Sequence, residues 1–243
     1  MDIFNSFIVG KYIAHRGYHT ETAPENSLAA FQNAIDAGFA IELDIQRLSD
    51  GTIVVFHDSS LSRMTGKDGY LKMLKKTDLK KYKLKGSEEH IPTFKEVLKL
   101  VDGKVPLLIE IKNDGKVGEL EKELLAMLKK YNGEFAIQSF NPFVLLWFKE
   151  NAPNILRGQL SSFFKGEKMS FLRKCALKRM RFNRQTKPDF ISYNADDLPN
   201  RFVRKYKNLP LLAWTIRNKD DFMKAVKHCD NMIFEGFDIT KAL

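Results

Sequence analysis

AIELDI, residues 40–45, is a short apolar run in which Glu42 and Asp44 interrupt the hydrophobic side chains. LLIEIK, residues 107–112, repeats this arrangement with a glutamate and a lysine two positions apart. Residues two apart in a β-strand point to the same face, so each run presents a pair of charged groups from one strand. Apolar runs of this length are typical of strands buried in a parallel sheet.

Similar apolar runs alternate with helical patterns along the chain, which is typical of βα units around a parallel sheet. Ser27 is a candidate helix N-cap, and Asn141-Pro142 predicts the start of another helix. Ile53 to His57 follows the Asp50-Gly51 turn signal and predicts an additional strand. The other eight runs predict an α/β fold that closes into a TIM (β/α)8 barrel. They are residues 12–14, 40–45, 107–111, 135–138, 155–160, 190–193, 211–215 and 232–234.

The length of 243 residues fits a single barrel domain over residues 1–243, because such barrels occupy roughly 250 residues. Residues 59–92 break the βα rhythm with many lysines and several glycines, so they are interpreted as a small insertion after the second strand region. The two cysteines, Cys175 and Cys229, have no paired C-x-x-C spacing and predict no disulfide. We expect neither an export signal nor a membrane-spanning helix, and therefore a cytoplasmic protein.

Three carboxylates are predicted to meet at the ends of two strands: Glu42, Asp44 and Glu110. An oxygen-rich set without cysteine suits a hard divalent cation, Mg²⁺ or Ca²⁺. The alternative is a set of isolated surface acids. Charged groups inside otherwise apolar strands are costly to bury without a partner, which favours the metal site.

Two histidines follow predicted strands directly. His15 comes after the first strand and His57 ends the additional one, each beside another charged residue, Arg16 or Asp58. Barrel enzymes assemble their active sites at the carboxyl ends of the strands, from the loops that follow them. The placement therefore predicts catalytic histidines, against the alternative of structural or merely exposed ones.

An ordered series of motifs extends over nearly the whole chain, and in this order it resembles the glycerophosphodiester phosphodiesterase family. Any one of the motifs alone is a weak signal. The motifs are IAHRG (13–17), PENS (24–27), ELD (42–44), VFHD (55–58), LSRMTG (61–66), IPT (91–93), IEIK (109–112), QSF (138–140) and AWT (213–215).

The resemblance implies a TIM-barrel hydrolase that converts glycerophosphodiesters, such as glycerophosphocholine or glycerophosphoethanolamine, to glycerol 3-phosphate and an alcohol. It also implies roles for individual residues. Asn26 is expected at the substrate or as a helix cap, and Trp214 at the substrate or in the core. The remaining roles are general acid and base for His15 and His57, phosphate binding for Arg16 and Lys112, and binding of one divalent cation for Glu42, Asp44 and Glu110.

This residue set suits the reaction, because an anionic phosphodiester resists attack until a cation and basic side chains neutralise its charge. Imidazoles can then move the two protons. Either water or the glycerol 2-hydroxyl can serve as the attacking group. The last strand departs from the family pattern, which has a Thr-Asp pair where this chain has Phe234 and Glu235. We expect Glu235 to supply the carboxylate in place of the aspartate, and the preferred alcohol stays open.

The formal net charge of +10 predicts anionic partners. A small-molecule phosphodiester is the expected partner, and nucleic acid is disfavoured because no recognisable nucleic-acid module is present. Residues 165–187 hold nine basic residues and one acid, which indicates a solvated helix face or a functional patch. The patch gives the alternative function, a protein that binds lipid at an anionic membrane surface or a lysophospholipase D-type enzyme acting on lipid diesters.

Overall fold

The computed structural model describes residues 3–242. Nine β-strands lie in this part of the chain: β1 (Ile13–Ala14), β2 (Ala40–Arg47), β3 (Ile53–Val55), β4 (Leu107–Ile111), β5 (Phe135–Ser139), β6 (Arg157–Ser161), β7 (Phe190–Asn194), β8 (Leu211–Ile216) and β9 (Asn231–Phe234).

Helices connect most of these strands. The α-helices of the described residues are α1 (Phe7–Gly10), α2 (Leu28–Asp36), α3 (Ser62–Thr65), α4 (Phe94–Val101), α5 (Glu119–Leu128), α6 (Pro142–Asn151), α7 (Phe171–Lys178), α8 (Asn183–Thr186) and α9 (Lys219–Ala225). Short 3₁₀ helices occupy Ile3–Asn5, Leu71–Met73, Lys76–Lys81, Ala195–Asp197, Val203–Tyr206 and Ile239–Lys241.

The strand order confirms the predicted fold class. The sheet runs β1-β9-β8-β7-β6-β5-β4-β2-β3, and β1 also pairs with β2, which closes eight strands into a barrel. β3 pairs with β2 antiparallel and is the predicted ninth strand. Closure removes the exposed edges that an open sheet would present.

The chain forms two compact units, of which one is Ala14–Phe135 and the other is the rest of the described chain. In the first unit β2 and β4 run parallel, and every residue of both is buried as far as Ile45 and Ile111. In the second unit each strand from β5 to β9 runs parallel to the next. The prediction of a single domain over residues 1–243 stays a prediction.

Two predicted helix starts are confirmed. The Ser27 hydroxyl accepts a hydrogen bond from the Ala30 N–H at 3.1 Å, so it caps α2. Helix α6 begins at Pro142, and the Asn141 side chain accepts from the Phe143 N–H at 3.0 Å. Each cap satisfies a backbone donor that has no partner inside its helix.

Residues 59–92 fold against β3 rather than as a βα unit. They contribute leucines to a hydrophobic cluster with Val54 and Phe56, and the helical piece predicted at Thr77–Tyr82 is the 3₁₀ helix Lys76–Lys81. Burial of these leucines stabilises a segment with little regular secondary structure. The interpretation of the segment as an insertion stays a prediction.

Strand β3 is shorter than predicted, since it ends at Val55 and not at His57. The side-chain amide of Gln46 donates to the carbonyls of Phe56, His57 and Asp58 at 2.8, 3.0 and 3.1 Å. The Gln46 side chain therefore provides hydrogen bonds to these three carbonyls, which a longer strand would have bonded to the backbone of a neighbouring strand.

Within residues 3–242, no helix combines the length and the apolar character that crossing a bilayer requires. The cytoplasmic location stays a prediction. Cys175 and Cys229 are both free thiols.

Candidate active site

Three buried carboxylates meet where β2 and β4 pair. Asp44 lies opposite Glu110 in the register, and Glu42 lies two residues earlier on the same strand face. The side chains are almost fully buried, and one oxygen from each lies within 4.8 Å of the others. The structure therefore brings together all three predicted metal ligands.

Burial and mutual repulsion govern the charge of these acids. Burial, reinforced by Asp44 and Glu110, raises the pKa of Glu42 well above its ordinary value. Burial also raises the pKa of Glu110. Burial acts on Asp44 in the same direction, but the charges of Lys112 and Arg16 outweigh it and hold the Asp44 pKa well below its usual range. Glu42 and Glu110 therefore both hold a proton more tightly than an exposed glutamate does when no cation is present.

The trio fits a divalent cation. Asp44 Oδ1 is buried and accepts no hydrogen bond, although the Lys112 ammonium lies 3.3 Å away. A bound cation would give this oxygen a partner and would offset the repulsion between the carboxylates. Three carboxylate donors suit hard cations such as Mg²⁺ or Ca²⁺.

Two basic groups border the carboxylates. Lys112 Nζ lies 2.8 Å from Glu110 Oε1, and Arg16 Nε lies 3.3 Å from Asp44 Oδ2. Burial alone would lower both pKa values, but the surrounding acids outweigh it and raise them. Both side chains therefore stay cationic beside the carboxylates.

The loop after β1 is fixed onto β2 by backbone hydrogen bonds. The Arg16 N–H donates to Glu42 Oε2 at 3.1 Å, and the Gly17 N–H donates to the Glu42 carbonyl at 3.2 Å. Gly17 has φ +82°, and a Cβ there would approach the carbonyl carbon of Ala30 to 2.9 Å. Glycine is required at this position, because both the backbone conformation and the space exclude a side chain.

Asn26 contacts Asp44, which is one of the three candidate metal-binding residues. Its side-chain N–H donates to Asp44 Oδ2 at 2.9 Å, and its side-chain oxygen accepts from the Asp44 N–H at 3.4 Å. The helix-cap alternative for Asn26 is wrong, because Ser27 is the residue that caps α2. The predicted contact of Asn26 with substrate stays a prediction.

The two histidines lie in the same unit as the carboxylates. The charges of His57 and His15 both contribute to the lowered pKa of Asp44, so both rings lie within electrostatic range of it. His57 Nδ1 is 2.7 Å from Asp58 Oδ1. Burial lowers the His57 pKa, against the opposing effects of Asp44 and Asp58. His57 is therefore mainly neutral at physiological pH, as a proton acceptor must be.

Comparison with known proteins decides the family. The profile of the Glycerophosphoryl diester phosphodiesterase family matches residues 15–236. The chain belongs to this family. Because the family consists of hydrolases, the predictions of the family and of an enzyme are confirmed.

Individual members of the glycerophosphoryl diester phosphodiesterase family resemble the chain to different extents. A glycerophosphodiester phosphodiesterase of Caldanaerobacter subterraneus subsp. tengcongensis is 38% identical over 159 residues, which cover 61% of this chain and 65% of that protein. The match therefore spans just under two thirds of that relative. A Bacillus subtilis glycerophosphodiester phosphodiesterase is 28% identical over 234 residues, which cover 86% of this chain and 77% of that protein.

A solved structure of an Oleispira antarctica phosphodiesterase, in complex with the product sn-glycerol-3-phosphate, superposes with a TM-score of 0.80. It is 25% identical to this chain, and the match covers 96% of each chain. Nearly the whole chain therefore has the same fold as that phosphodiesterase.

Two residues that support the site were missed from sequence. Gln46 holds the backbone of residues 56–58, and Arg63 bridges two acids. Arg63 Nε donates to Asp58 at 2.6 Å, and its Nη2 donates to Glu25 at 2.7 Å. Gln46 follows Glu42 and Asp44 on the same strand face, which is a signal that could have identified it. Arg63 lies within the LSRMTG motif (61–66), but the sequence around it does not indicate which acids it contacts.

Trp214 lies on β8 in the other unit. Its ring packs edge-on against Phe140 at a centroid distance of 5.6 Å, and its buried Nε1 has no hydrogen-bond partner. A buried indole N–H normally finds an acceptor, which this one lacks among the described residues. The predicted contact of Trp214 with substrate stays a prediction.

Glu235 follows β9, where the family pattern has an aspartate. Its carboxylate pairs with Arg217 Nε at 2.8 Å. A carboxylate is therefore present at this position, but a guanidinium already contacts it. The role of Glu235 as a substitute for the family's aspartate stays a prediction.

Proposed function

We propose that the chain is a metal-dependent glycerophosphodiester phosphodiesterase, which hydrolyses small glycerophosphodiesters to glycerol 3-phosphate and an alcohol. The observation that carries this proposal is the cluster of Glu42, Asp44 and Glu110, buried beside the cationic Arg16 and Lys112. A site with both a place for a divalent cation and two fixed positive charges suits a phosphodiester. Substrates such as glycerophosphocholine and glycerophosphoethanolamine fit this chemistry.

Charge neutralisation is the first task of the site. Mg²⁺ or Ca²⁺ held by the three carboxylates would polarise a phosphoryl oxygen and offset the negative charge of the phosphodiester. Arg16 and Lys112 would bind the remaining phosphate oxygens, since both keep their charge in this environment. Asn26 would hold Asp44 in position, and Trp214 would contact the glycerol or the alcohol group.

Proton transfer is the second task, and we assign the base to His57. When Asp58 accepts a hydrogen bond from Nδ1–H, Nε2 of the neutral ring is free to accept a proton. Nε2 would take the proton of the attacking hydroxyl as its oxygen bonds to phosphorus. His15 would donate a proton to the leaving alkoxide as the other P–O bond breaks. An attacking glycerol 2-hydroxyl would give a cyclic phosphate that water then opens, whereas attacking water would give the product directly.

The test is a substrate and metal panel. Purified protein is stripped of metal with a chelator, supplied with Mg²⁺ or Ca²⁺, and assayed on glycerophosphocholine, glycerophosphoethanolamine and lysophospholipids. We expect glycerol 3-phosphate from the glycerophosphodiesters only after a metal is returned. His15→Ala, His57→Ala and Glu42→Ala should each lower kcat by at least about 100-fold.

His90→Ala is the matched control, because this histidine pairs with Glu96 at 3.7 Å, and within residues 3–242 no ion pair joins it to a site residue. It should retain full turnover. Undiminished turnover in chelator would refute the metal dependence, and undiminished turnover in any one of the three variants would refute the role assigned to that residue. Turnover of lysophospholipids alone would favour the lysophospholipase D-type alternative.

A further inference from the structure

A basic–apolar surface surrounds α7, in the unit that does not contain the carboxylates. Residues 165–187 carry nine basic residues and one acid, in a chain whose formal net charge is +10. Phe171 and Leu172 at the start of α7 are 78% and 79% exposed, which makes them the most exposed large apolar side chains of the described residues. We define the basic–apolar surface by this pair together with four exposed basic residues of the same segment, Lys168, Arg173, Arg181 and Arg184.

Helix α7 is amphipathic, and the apolar residues at its start are exposed. At 3.6 residues per turn, Phe171, Leu172, Cys175 and Ala176 share one side, and basic residues lie on the other side. None of its eight residues is buried. Helices this short gain their stability from packing an apolar face, yet Phe171 and Leu172 on this face stay exposed, and Cys175 and Ala176 are only half-buried.

The exposed basic side chains are available to an external anion. Within the part of the chain that the structure describes, Lys168, Arg173, Arg181 and Arg184 form no ion pair with an acidic side chain. Lys165, by contrast, is 3.1 Å from Asp197. The positive charge around the apolar pair is therefore largely uncompensated.

We propose that the basic–apolar surface docks on an anionic lipid bilayer, with Phe171 and Leu172 inserted at the headgroup boundary. Basic side chains beside a protruding apolar pair match a surface that is anionic outside and apolar beneath. Nucleic acid would accept the charges but offers no apolar layer for Leu172. The docking surface is independent of the proposed phosphodiester chemistry, because it contains none of the residues assigned to catalysis.

Vesicle sedimentation tests the docking surface. The full chain is mixed with vesicles of phosphatidylcholine alone, or with about 30% phosphatidylserine added, at an ionic strength of about 0.15 M. We expect the protein to pellet with the anionic vesicles and to stay in the supernatant with the neutral ones. The double variants Phe171→Ser/Leu172→Ser and Lys168→Gln/Arg173→Gln should each weaken binding by at least about tenfold.

Matched controls separate the surface from general effects. Met73→Ser removes another exposed apolar side chain, and Lys129→Gln/Lys130→Gln removes two exposed charges elsewhere. Both should bind as the unchanged chain does, and all variants should hydrolyse a soluble glycerophosphodiester at the original rate. Absence of binding to anionic vesicles, equal binding to neutral ones, or unweakened binding of either α7 variant would overturn the proposal. Binding to duplex DNA without binding to vesicles would also overturn it.

Discussion

Arg63 joins two acids of the candidate site that lie far apart in the sequence. Its guanidinium donates two hydrogen bonds to Glu25 and two to Asp58. Asp58 in turn contacts His57, and Glu25 contacts Arg16 at 2.7 Å. One exposed side chain thus connects the proposed base with a proposed phosphate-binding group.

We predict that Arg63→Gln lowers kcat by about tenfold to 100-fold and changes KM much less, because a misplaced His57 affects the reacting geometry more than binding. Arg63→Lys should recover only part of the activity, since an ammonium cannot pair with both acids in a bidentate manner. Steady-state kinetics on a soluble glycerophosphodiester measures the effect.

Arg47→Gln is the control for Arg63, because Arg47 pairs with Glu119 and Glu123 rather than with site residues. Its kcat should match that of the unchanged chain. If Arg63→Gln changes KM and leaves kcat intact, the bridge does not position His57.

Gln46 is a second supporting residue, and its amide holds three successive carbonyls around His57. Gln46→Met keeps the side-chain length but removes the donor, so we predict a loss of about tenfold in kcat. Gln32→Met is the control, because the half-buried Gln32 on α2 donates its side-chain hydrogen bond to Asp36 and not to a residue of the candidate site. Equal kcat for Gln46→Met and the unchanged chain would contradict the role of Gln46.

The candidate site was predictable from sequence to the extent that strand alternation determines it. Glu42 and Asp44 share a face because they are two residues apart, and the motif order places Glu110 on the paired strand. The contacts of Arg63 depend instead on where separate loops meet in three dimensions. Spacing carries no information about such contacts, so they became visible only in the folded chain.

At the level of whole elements, the bounds of β4 were predicted more accurately than those of β3. β4 has the predicted bounds, Leu107–Ile111, because it is apolar throughout except at Glu110. β3 ends before its predicted limit, because side-chain hydrogen bonds from Gln46 replace the ladder there. The apolar residues of the segment 59–92 do not recur at the spacing of a helix or a strand, so the sequence did not predict that its leucines form a cluster.

Helix α4 offers a test of capping. Thr93 accepts from the Glu96 N–H at 3.3 Å, and Glu96 accepts from the Thr93 N–H at 2.7 Å. Because α4 also buries apolar residues, we predict that Thr93→Ala lowers the free energy of unfolding by about 1 kcal/mol and the Tm by about 2–4 °C. Thr93→Ser should recover most of this loss.

Ser170→Ala is the comparison for Thr93→Ala. Ser170 caps α7, and none of the residues of α7 is buried. Removing this capping hydrogen bond should therefore leave the global Tm unchanged. Calorimetry measures both variants. Equal Tm losses would mean that α7 is as tightly coupled to global unfolding as α4 is.

For the whole molecule, the alternation of strands and helices was sufficient to predict a closed barrel, and the strand order confirms it. The proposed cation would affect the stability of this fold as well as its activity. Burial and the neighbouring acids raise the pKa of Glu42. An acid with a raised pKa contributes stability below its unfolded-state pKa, and this contribution is lost as the pH rises through its folded-state pKa.

Without a divalent cation, the Tm should therefore fall as the pH rises through the raised pKa of Glu42. A cation that binds only the folded chain contributes RT ln(1 + [L]/Kd), about 2.7 kcal/mol at 100 times Kd. Because the cation displaces the proton on Glu42, we predict that the gain in Tm from Mg²⁺ or Ca²⁺ increases from acidic to neutral pH. Thermal unfolding with chelator or with metal, over a pH series, measures this gain.

Glu42→Gln should flatten the pH dependence of the Tm of the metal-free protein, because it eliminates the group that holds the proton. It should also remove most of the gain in Tm from the metal, because it eliminates one of the three metal-binding carboxylates. Glu121→Gln is the matched control. Glu121 is fully buried too, but it accepts hydrogen bonds from Asn113 and Gly118 and lies outside the trio. It should keep the metal-dependent gain even if its own Tm is lower. An equal gain in Glu42→Gln and the unchanged chain would place the cation elsewhere in the molecule.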